Sequence, residues 1–232
     1  MAGAGNGAGK GRGMRQEPAV VIFDLDGTLV DTAPDLIAVA DEMLRELGAG
    51  PLQERAGRLA AGQGARALLS TGLSAAGRPL PAEEEWPALV EDFIARYERR
   101  MTALSRPFAG VEELLKRLSA RGMTLSVCTN KREALACRLL RELDLLDYFG
   151  AVVGGDSLPQ KKPHPAPVQA AAGGNARRAL MLGDSVADMN AARAAGALPV
   201  LAAWGYVRPP LSDYAARHIC HTPHDLLPLL SS

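Results

Sequence analysis

The feature that most constrains the fold of this chain is an alternation of short, continuously apolar segments with amphipathic helical ones. Apolar runs of this kind are typical of strands buried on both faces, and strands that alternate with helices form parallel sheets through right-handed crossovers. The sequence therefore predicts an α/β fold with a Rossmann-like, doubly wound parallel sheet. The predicted strands are residues 19–23, 124–128, 151–153, 179–182 and 198–201.

A long helical block interrupts the alternation directly after the first strand. It begins with a predicted helix in which Thr32 and Asp35 have capping-box spacing and which ends at Gly48. Residues 52–104 continue as helical segments without a convincing strand. The first 17 residues are rich in Gly and Ala and offer little to bury. The predicted domains are an α/β catalytic core at 18–31 and 107–232, an inserted α-helical cap at 32–106 and a disordered tail at 1–17.

Charge and cysteine content argue against several classes of protein. The 26 Lys and Arg residues balance 26 Asp and Glu residues, whereas nucleic-acid and polybasic membrane-surface proteins carry a basic excess. No apolar run approaches the roughly 18–20 residues that span a bilayer, and the N-terminus does not resemble a secretory signal. Three scattered cysteines are too few for a disulfide framework. We therefore expect a cytoplasmic protein without nucleic-acid or membrane partners.

Polar residues gather where the predicted strands end. Ligands of open parallel sheets bind beyond the carboxyl ends of the strands, so these residues are candidates for a common site. They are Asp24 and Asp26 after the first strand, Thr129 and Asn130 after the second, Lys162 in the loop after the third, and Asp184 and Asp188 after the fourth.

This set of side chains suits phosphoryl transfer. Asp24, Asp26 and Asp184 would repel one another if all were ionised, and a hard cation such as Mg²⁺ would relieve that repulsion. Lys162 offers a cation to an oxyanion. Gly27 lets the backbone approach a ligand closely, so that neighbouring amides can cradle a phosphate. Positioning and charge stabilisation are what phosphoryl transfer requires of a protein.

The same residues resemble the four motifs of the haloacid dehalogenase superfamily, in the family's order and at the corresponding strand ends. The helical insertion after the first motif resembles the cap of the phosphoglycolate phosphatase-like branch of that superfamily. The matching motifs are Asp24-Leu-Asp26-Gly-Thr28-Leu-Val-Asp31, Thr129-Asn130, Lys162-Pro163 and Gly183-Asp184-x3-Asp188.

The resemblance implies a role for each matching position. Asp24 would be the nucleophile that forms an aspartyl-phosphate. Asp26 would protonate the leaving alkoxide and then activate the water that hydrolyses the intermediate. Mg²⁺ would be bound by the Asp24 carboxylate, the Asp26 main-chain carbonyl and Asp184, with Asp188 in the second shell of the metal. The phosphoryl group would be bound by Thr129 and Lys162, with Asn130 nearby.

The resemblance thus implies a Mg²⁺-dependent phosphatase acting on a small phosphorylated metabolite, with 2-phosphoglycolate as the leading substrate. Alternatives are a phosphatase for sugar phosphates or for amino-sugar phosphates of cell-wall recycling, and a sugar-phosphate mutase of the same superfamily. A haloalkanoic acid dehalogenase is disfavoured because it would not need Asp26 or a metal. A non-catalytic binding module is disfavoured because no motif residue is missing. We expect a monomer or a homodimer.

Three further segments carry weaker signals. We predict that the cap turn at 62–66, which includes Arg66, faces the site and helps to select the substrate. Trp204-Gly-Tyr206 is interpreted as a loop beside the last strand, without an assigned role. The C-terminal group His218, Cys220, His221 and His224 matches no common zinc spacing, so a strand and loop are favoured there over a metal site.

Overall fold

A computed structural model describes residues 20–230, and their core is a six-stranded parallel sheet with the strand order β5-β4-β1-β6-β7-β8. The first strand lies in the interior of the sheet and pairs with β4 on one side and β6 on the other. The predicted tail at 1–17 lies outside the described residues. The strands of this sheet are β1 (Val20–Phe23), β4 (Thr124–Cys128), β5 (Ala151–Val153), β6 (Ala179–Gly183), β7 (Leu198–Ala202) and β8 (His218–Cys220).

Helices cover both faces of the sheet, as a doubly wound fold requires. Val21 and Phe23 of β1 pack into one buried apolar cluster, whereas Ile22 between them packs into the other. This separation follows from the two-residue period of a strand, and it confirms the predicted fold class. The flanking helices are α5 (Val111–Ala120) and α6 (Glu133–Glu142) on the first face, and α7 (Ala166–Ala171) and α8 (Val186–Ala195) on the second.

The helical block lies between the two strands of a short antiparallel ribbon. β2 (Val30–Asp31) leads into the block and pairs with β3 (Arg106–Pro107), which leads out of it. Two-residue strands have no periodicity to detect, and the sequence did not predict this ribbon. The helices of the block are α1 (Ala33–Glu46), α2 (Glu54–Ala61), α3 (Ala65–Ala75) and α4 (Trp86–Glu98).

The expected capping box at the start of α1 is wrong, because both of its side chains have other partners. Thr32 makes no side-chain capping bond and its hydroxyl donates to Asp26 instead, at 2.7 Å. The fully buried Asp35 accepts bonds from the backbone N–H and the hydroxyl of Ser105, at 2.7 and 2.8 Å. Asp35 thereby ties the end of the helical block to its beginning.

Within residues 20–230, no helix combines the length and the apolar character needed to cross a bilayer.

Candidate active site

The sheet order brings three of the predicted motifs together. Because β1 lies between β4 and β6, the residues that follow these strands, Asp24, Thr129 and Asp184, meet at one edge of the sheet. Lys162 reaches the same point from a loop that Asn130 holds in place. The Asn130 amide donates to the Lys162 carbonyl and accepts from its backbone N–H, both at 3.0 Å.

Three buried carboxylates form the centre of this site. Asp24, Asp184 and Asp188 each offer an oxygen, and these oxygens lie within 4.8 Å of one another. Among residues 20–230 this is the only group of His, Cys, Asp or Glu side chains with the geometry to hold a metal ion. The Lys162 ammonium lies 2.9 Å from Asp24 Oδ1 and 2.6 Å from Asp188 Oδ1.

The single positive charge of Lys162 does not balance three carboxylates, and the pKa values of two of these carboxylates are raised as a result. Burial is the main cause that raises the pKa of Asp24 to about 7, and repulsion from Asp188 adds to it. Attraction to Lys162 lowers the same pKa but does not cancel the rise. Burial and repulsion from Asp24 likewise raise the pKa of Asp184 well above its usual value. A buried site with excess negative charge and only oxygen donors fits a hard divalent cation such as Mg²⁺.

Asp188 is fixed by protein partners at both of its carboxylate oxygens. Oδ1 pairs with Lys162, and Oδ2 accepts from the Ser185 backbone N–H and hydroxyl at 2.9 and 2.6 Å. The Ser185 hydroxyl also accepts from the Asp188 N–H, which completes a capping box at the start of α8. Asp188 therefore holds Lys162 against the start of α8.

Asp26 lies on the wall of the pocket, between the first motif and the helical block. It accepts from the Thr32 hydroxyl at 2.7 Å and pairs with the Lys131 ammonium at 2.9 Å. Lys131 is itself nearly buried, and its Nζ lies 4.6 Å from the centre of the Tyr97 ring. Burial opposes the charge of Lys131, but attraction to Asp26 outweighs it and raises the pKa of the ammonium.

Tyr206 connects the carboxylate cluster to the base of the helical block. Its backbone N–H donates to Asp184 Oδ2 at 2.7 Å. Its buried hydroxyl donates to Asp31 at 2.8 Å and accepts from the Ala33 N–H at 2.8 Å. Asp31 is in turn held by both of its oxygens to Arg58 of α2, at 2.9 and 3.0 Å. The hydroxyl of Tyr206 thus reaches the point where the chain enters the helical block.

Two glycines allow this loop to approach the first motif. A Cβ at Gly205 would lie 2.1 Å from the Gly27 carbonyl oxygen, and a Cβ at Gly27 would lie 2.2 Å from an Asp184 oxygen. Gly27 also has φ of +83°, a left-handed conformation that side chains disfavour. Both positions therefore require glycine.

The site opens into a cavity of about 830 Å³ between the sheet edge and the helical block. Leu36, Phe93 and Tyr97 contribute from α1 and α4. The predicted turn at 62–66 also lines the cavity, but it is shorter than expected, because Arg66 lies in the first turn of α3. The guanidinium of Arg66 is paired with Glu83, at 2.9 Å.

A model of the haloacid dehalogenase-like hydrolases matches residues 21–202, the segment that carries all four motifs. The chain belongs to this family. It is 45% identical over 221 residues to a phosphoglycolate phosphatase of Caulobacter vibrioides, covering 92% of this chain and 93% of the relative. The corresponding protein of Neisseria gonorrhoeae is 42% identical over 190 residues, covering 80% of each chain.

Solved structures agree with this membership. The crystal structure of a predicted phosphoglycolate phosphatase from Haemophilus somnus superposes with a TM-score of 0.81 at 30% identity, covering 91% of this chain and 97% of the other. The family expected from the four motifs is thus confirmed, and this chain is a hydrolase of the haloacid dehalogenase-like type.

For this hydrolase, the structure brings the predicted site residues together at one edge of the sheet. Asp24, Asp26, Thr129, Asn130 and Asp184 follow strands, Lys162 lies in a loop, and Asp188 lies in the first turn of α8. Sequence reasoning missed Lys131, although it adjoins the second motif, and it gave Tyr206 no role. At the C-terminus, His218 and Cys220 lie in β8, as the strand interpretation expected, and His224 contacts Glu113 at 3.2 Å.

Proposed function

We propose that this hydrolase is a Mg²⁺-dependent phosphatase that releases inorganic phosphate from 2-phosphoglycolate through an aspartyl-phosphate on Asp24. The observation that carries the proposal is the buried Asp24 carboxylate at the end of a central strand, within 2.9 Å of Lys162 and grouped with Asp184. The names of the Caulobacter and Neisseria relatives support the choice of substrate.

We infer the attacking oxygen of Asp24 from the contacts of its carboxylate. Oδ1 accepts from the Leu25 backbone N–H at 2.7 Å and pairs with Lys162. With Oδ1 held in this way, Oδ2 is the oxygen presented to phosphorus. As the Oδ2–phosphorus bond forms, the bond from phosphorus to the ester oxygen breaks, and Asp26 gives its proton to that oxygen. Glycolate leaves with this proton.

The second half of the reaction regenerates the site. Asp26, now ionised, takes a proton from a water molecule as the water oxygen attacks phosphorus. The bond between phosphorus and Asp24 breaks, and inorganic phosphate departs. Thr129 and Lys162 would bind the phosphoryl oxygens throughout, because both lie beside Asp24 at the sheet edge.

The metal would be held by the Asp24 carboxylate, the Asp26 main-chain carbonyl and Asp184. When bound, it supplies positive charge that offsets the carboxylates and the phosphoryl oxygens. The predicted core at 18–31 and 107–232 would thus carry the chemistry. The predicted cap at 32–106 would close the pocket and select the substrate, with the Arg66 turn included.

The test is a phosphate-release screen over 2-phosphoglycolate, sugar phosphates, amino-sugar phosphates and nucleotides. We expect 2-phosphoglycolate to have the highest kcat/KM. Asp24→Asn and removal of Mg²⁺ by a chelator should each lower phosphate release by at least about 1,000-fold. Asp147→Asn, at an exposed position of the core, is the matched control.

Each alternative predicts a distinct result. Full activity in chelator, or in the Asp24→Asn variant, would refute the proposed chemistry. A preference for amino-sugar phosphates would keep the chemistry and change the substrate. Formation of a phosphorylated isomer without free phosphate would indicate a mutase.

A further inference from the structure

Two cations along the cavity are neutralised by partners away from the reacting centre. Arg66 pairs with Glu83, and Arg132 pairs with Glu91, and each of these ion pairs is partly exposed to solvent. Lys162 pairs with Asp24 and Asp188 of the carboxylate cluster. Lys131 differs from all of these, because it is a nearly buried cation whose carboxylate partner, Asp26, faces the ester that the proposed reaction cleaves.

The second observation concerns Tyr97, on the cavity side of α4. Its side chain is only 2% exposed, yet among the described residues its hydroxyl finds no acceptor for its proton, and the polar group beside it is the Lys131 ammonium, itself a donor. A buried hydroxyl whose proton finds no acceptor is destabilising in a protein interior, so such groups are rare unless a ligand completes them. The ring of the same tyrosine lies under Lys131 Nζ. An unused donor therefore adjoins a buried cation, which is the composition of an anion site.

We propose that Lys131 and the Tyr97 hydroxyl bind the carboxylate of the substrate. This assignment rests on the proposed function. In 2-phosphoglycolate one methylene carbon separates the carboxylate from the ester oxygen, so the two groups lie within about 4 Å of each other. A substrate whose ester oxygen meets Asp26 thus places its carboxylate beside Lys131, which is 2.9 Å from Asp26.

One ammonium group is sufficient for both carboxylates. Lys131 has three N–H donors, so it can keep its hydrogen bond to Asp26 and also bind the carboxylate of the substrate. Lys131 and Tyr97 would favour phosphomonoesters with a carboxylate on the ester carbon. A neutral substituent at that position would leave both side chains without an anionic partner.

The test compares 2-phosphoglycolate with ethyl phosphate, in which a methyl group replaces the carboxylate. The measured quantity is the ratio of the two kcat/KM values. Lys131→Met should lower this ratio about 100-fold, and Lys131→Arg should restore part of it. Lys161→Met is the matched control, since Lys161 is an exposed lysine at the same cavity, and its ratio should stay within about twofold of the wild-type value.

Tyr97→Phe keeps the assignment testable if the Lys131 variants fold poorly. Removing an unpartnered buried hydroxyl should leave Tm unchanged or higher, while the ratio falls about fivefold to tenfold. A purely structural role would move Tm and leave the ratio alone.

The outcomes separate the two proposals. If the wild-type ratio is high and both variants retain it, the carboxylate site is refuted and the proposed function stands. If wild-type protein hydrolyses ethyl phosphate as well as 2-phosphoglycolate, the proposed substrate and the carboxylate site both fail.

Discussion

The backbone N–H of Tyr206 donates a hydrogen bond to Asp184 Oδ2 at 2.7 Å, while the hydroxyl of the same residue bonds to Asp31 in the ribbon below the helical block. A single residue thus links a carboxylate of the buried cluster to the point where the helical block joins the core. Any movement of the block about that point must change or break the contacts of Tyr206.

Replacing Tyr206 with Phe tests the hydroxyl without disturbing the backbone bond to Asp184. The buried Ala33 N–H and one Asp31 oxygen would lose a partner, so we expect the free energy of unfolding to fall by about 1–3 kcal/mol. Urea denaturation measures this change. Tyr148→Phe is the control, because its hydroxyl makes no hydrogen bond within residues 20–230 and its side chain does not line the cavity. Equal losses in the two variants would contradict the prediction.

Arg58→Met tests the ion pair between α2 and the ribbon. Because Arg58 and Asp31 are both partly exposed, the free energy of unfolding should fall by no more than about 1 kcal/mol. The helical block would lose a tether to the ribbon, so we expect KM for the best substrate to rise severalfold with a smaller change in kcat. Steady-state kinetics measure both constants. Arg117→Met removes an exposed pair on α5 and should change neither; an unaltered KM in the Arg58 variant would argue against a tether.

Gly205→Ala should be severe, because the added Cβ would meet the Gly27 carbonyl oxygen at 2.1 Å and the loop would have to move. Such overpacking typically costs about 1–3 kcal/mol or more. We expect phosphate release to fall at least tenfold, since the displaced loop carries the Tyr206 N–H away from Asp184. Gly50→Ala is the control, because its Cβ would meet nothing within 4 Å. A fully active Gly205 variant would show that the loop is not tightly constrained.

The raised pKa of Asp24 predicts how metal affects stability at different pH. The pKa is about 7 in the folded, metal-free protein and 3.8 ordinarily, so the folded state binds more protons than the unfolded state between these values. The contribution of Asp24 to stability therefore falls as pH rises from about 4 to about 7. Protons also compete with Mg²⁺ for the carboxylate. At a fixed Mg²⁺ concentration, the metal should thus raise Tm more at pH 8 than at pH 5.5.

Differential scanning calorimetry with and without Mg²⁺ measures that difference. Asp24→Asn, which has no ionisable group at this position, should lose most of it. Equal Mg²⁺-induced shifts at the two pH values in wild-type protein would contradict the prediction.

Much of the sheet was predictable because β1, β5, β6 and β7 are apolar along their length. Residues 124–128 and 151–153 were predicted as strands at the bounds that the structure shows, Thr124–Cys128 and Ala151–Val153. The β2–β3 ribbon was not predicted, since two residues per strand leave no period to recognise. The capping box predicted from the spacing of Thr32 and Asp35 does not form. Their side chains instead make tertiary hydrogen bonds, Thr32 to Asp26 and Asp35 to Ser105.

The candidate site was predictable where its residues follow strands, since strand ends converge by topology alone. Lys131 and Tyr206 were missed for a different reason. Lys131 gains its importance from burial against Tyr97, which is 34 positions away along the chain. Tyr206 bonds to Asp31 across 175 positions. Pairings between residues so far apart leave no pattern in a single sequence.

The ribbon of Val30–Asp31 with Arg106–Pro107 has a consequence for modularity. Because the chain leaves the core and returns to it at paired, adjacent residues, the two ends of the intervening segment are held side by side by the ribbon. A segment of different length or architecture could be grafted between these strands at little cost in loop-closure entropy. The same hydrolytic core could therefore carry helical inserts of different shape between β2 and β3, and each insert could select a different substrate.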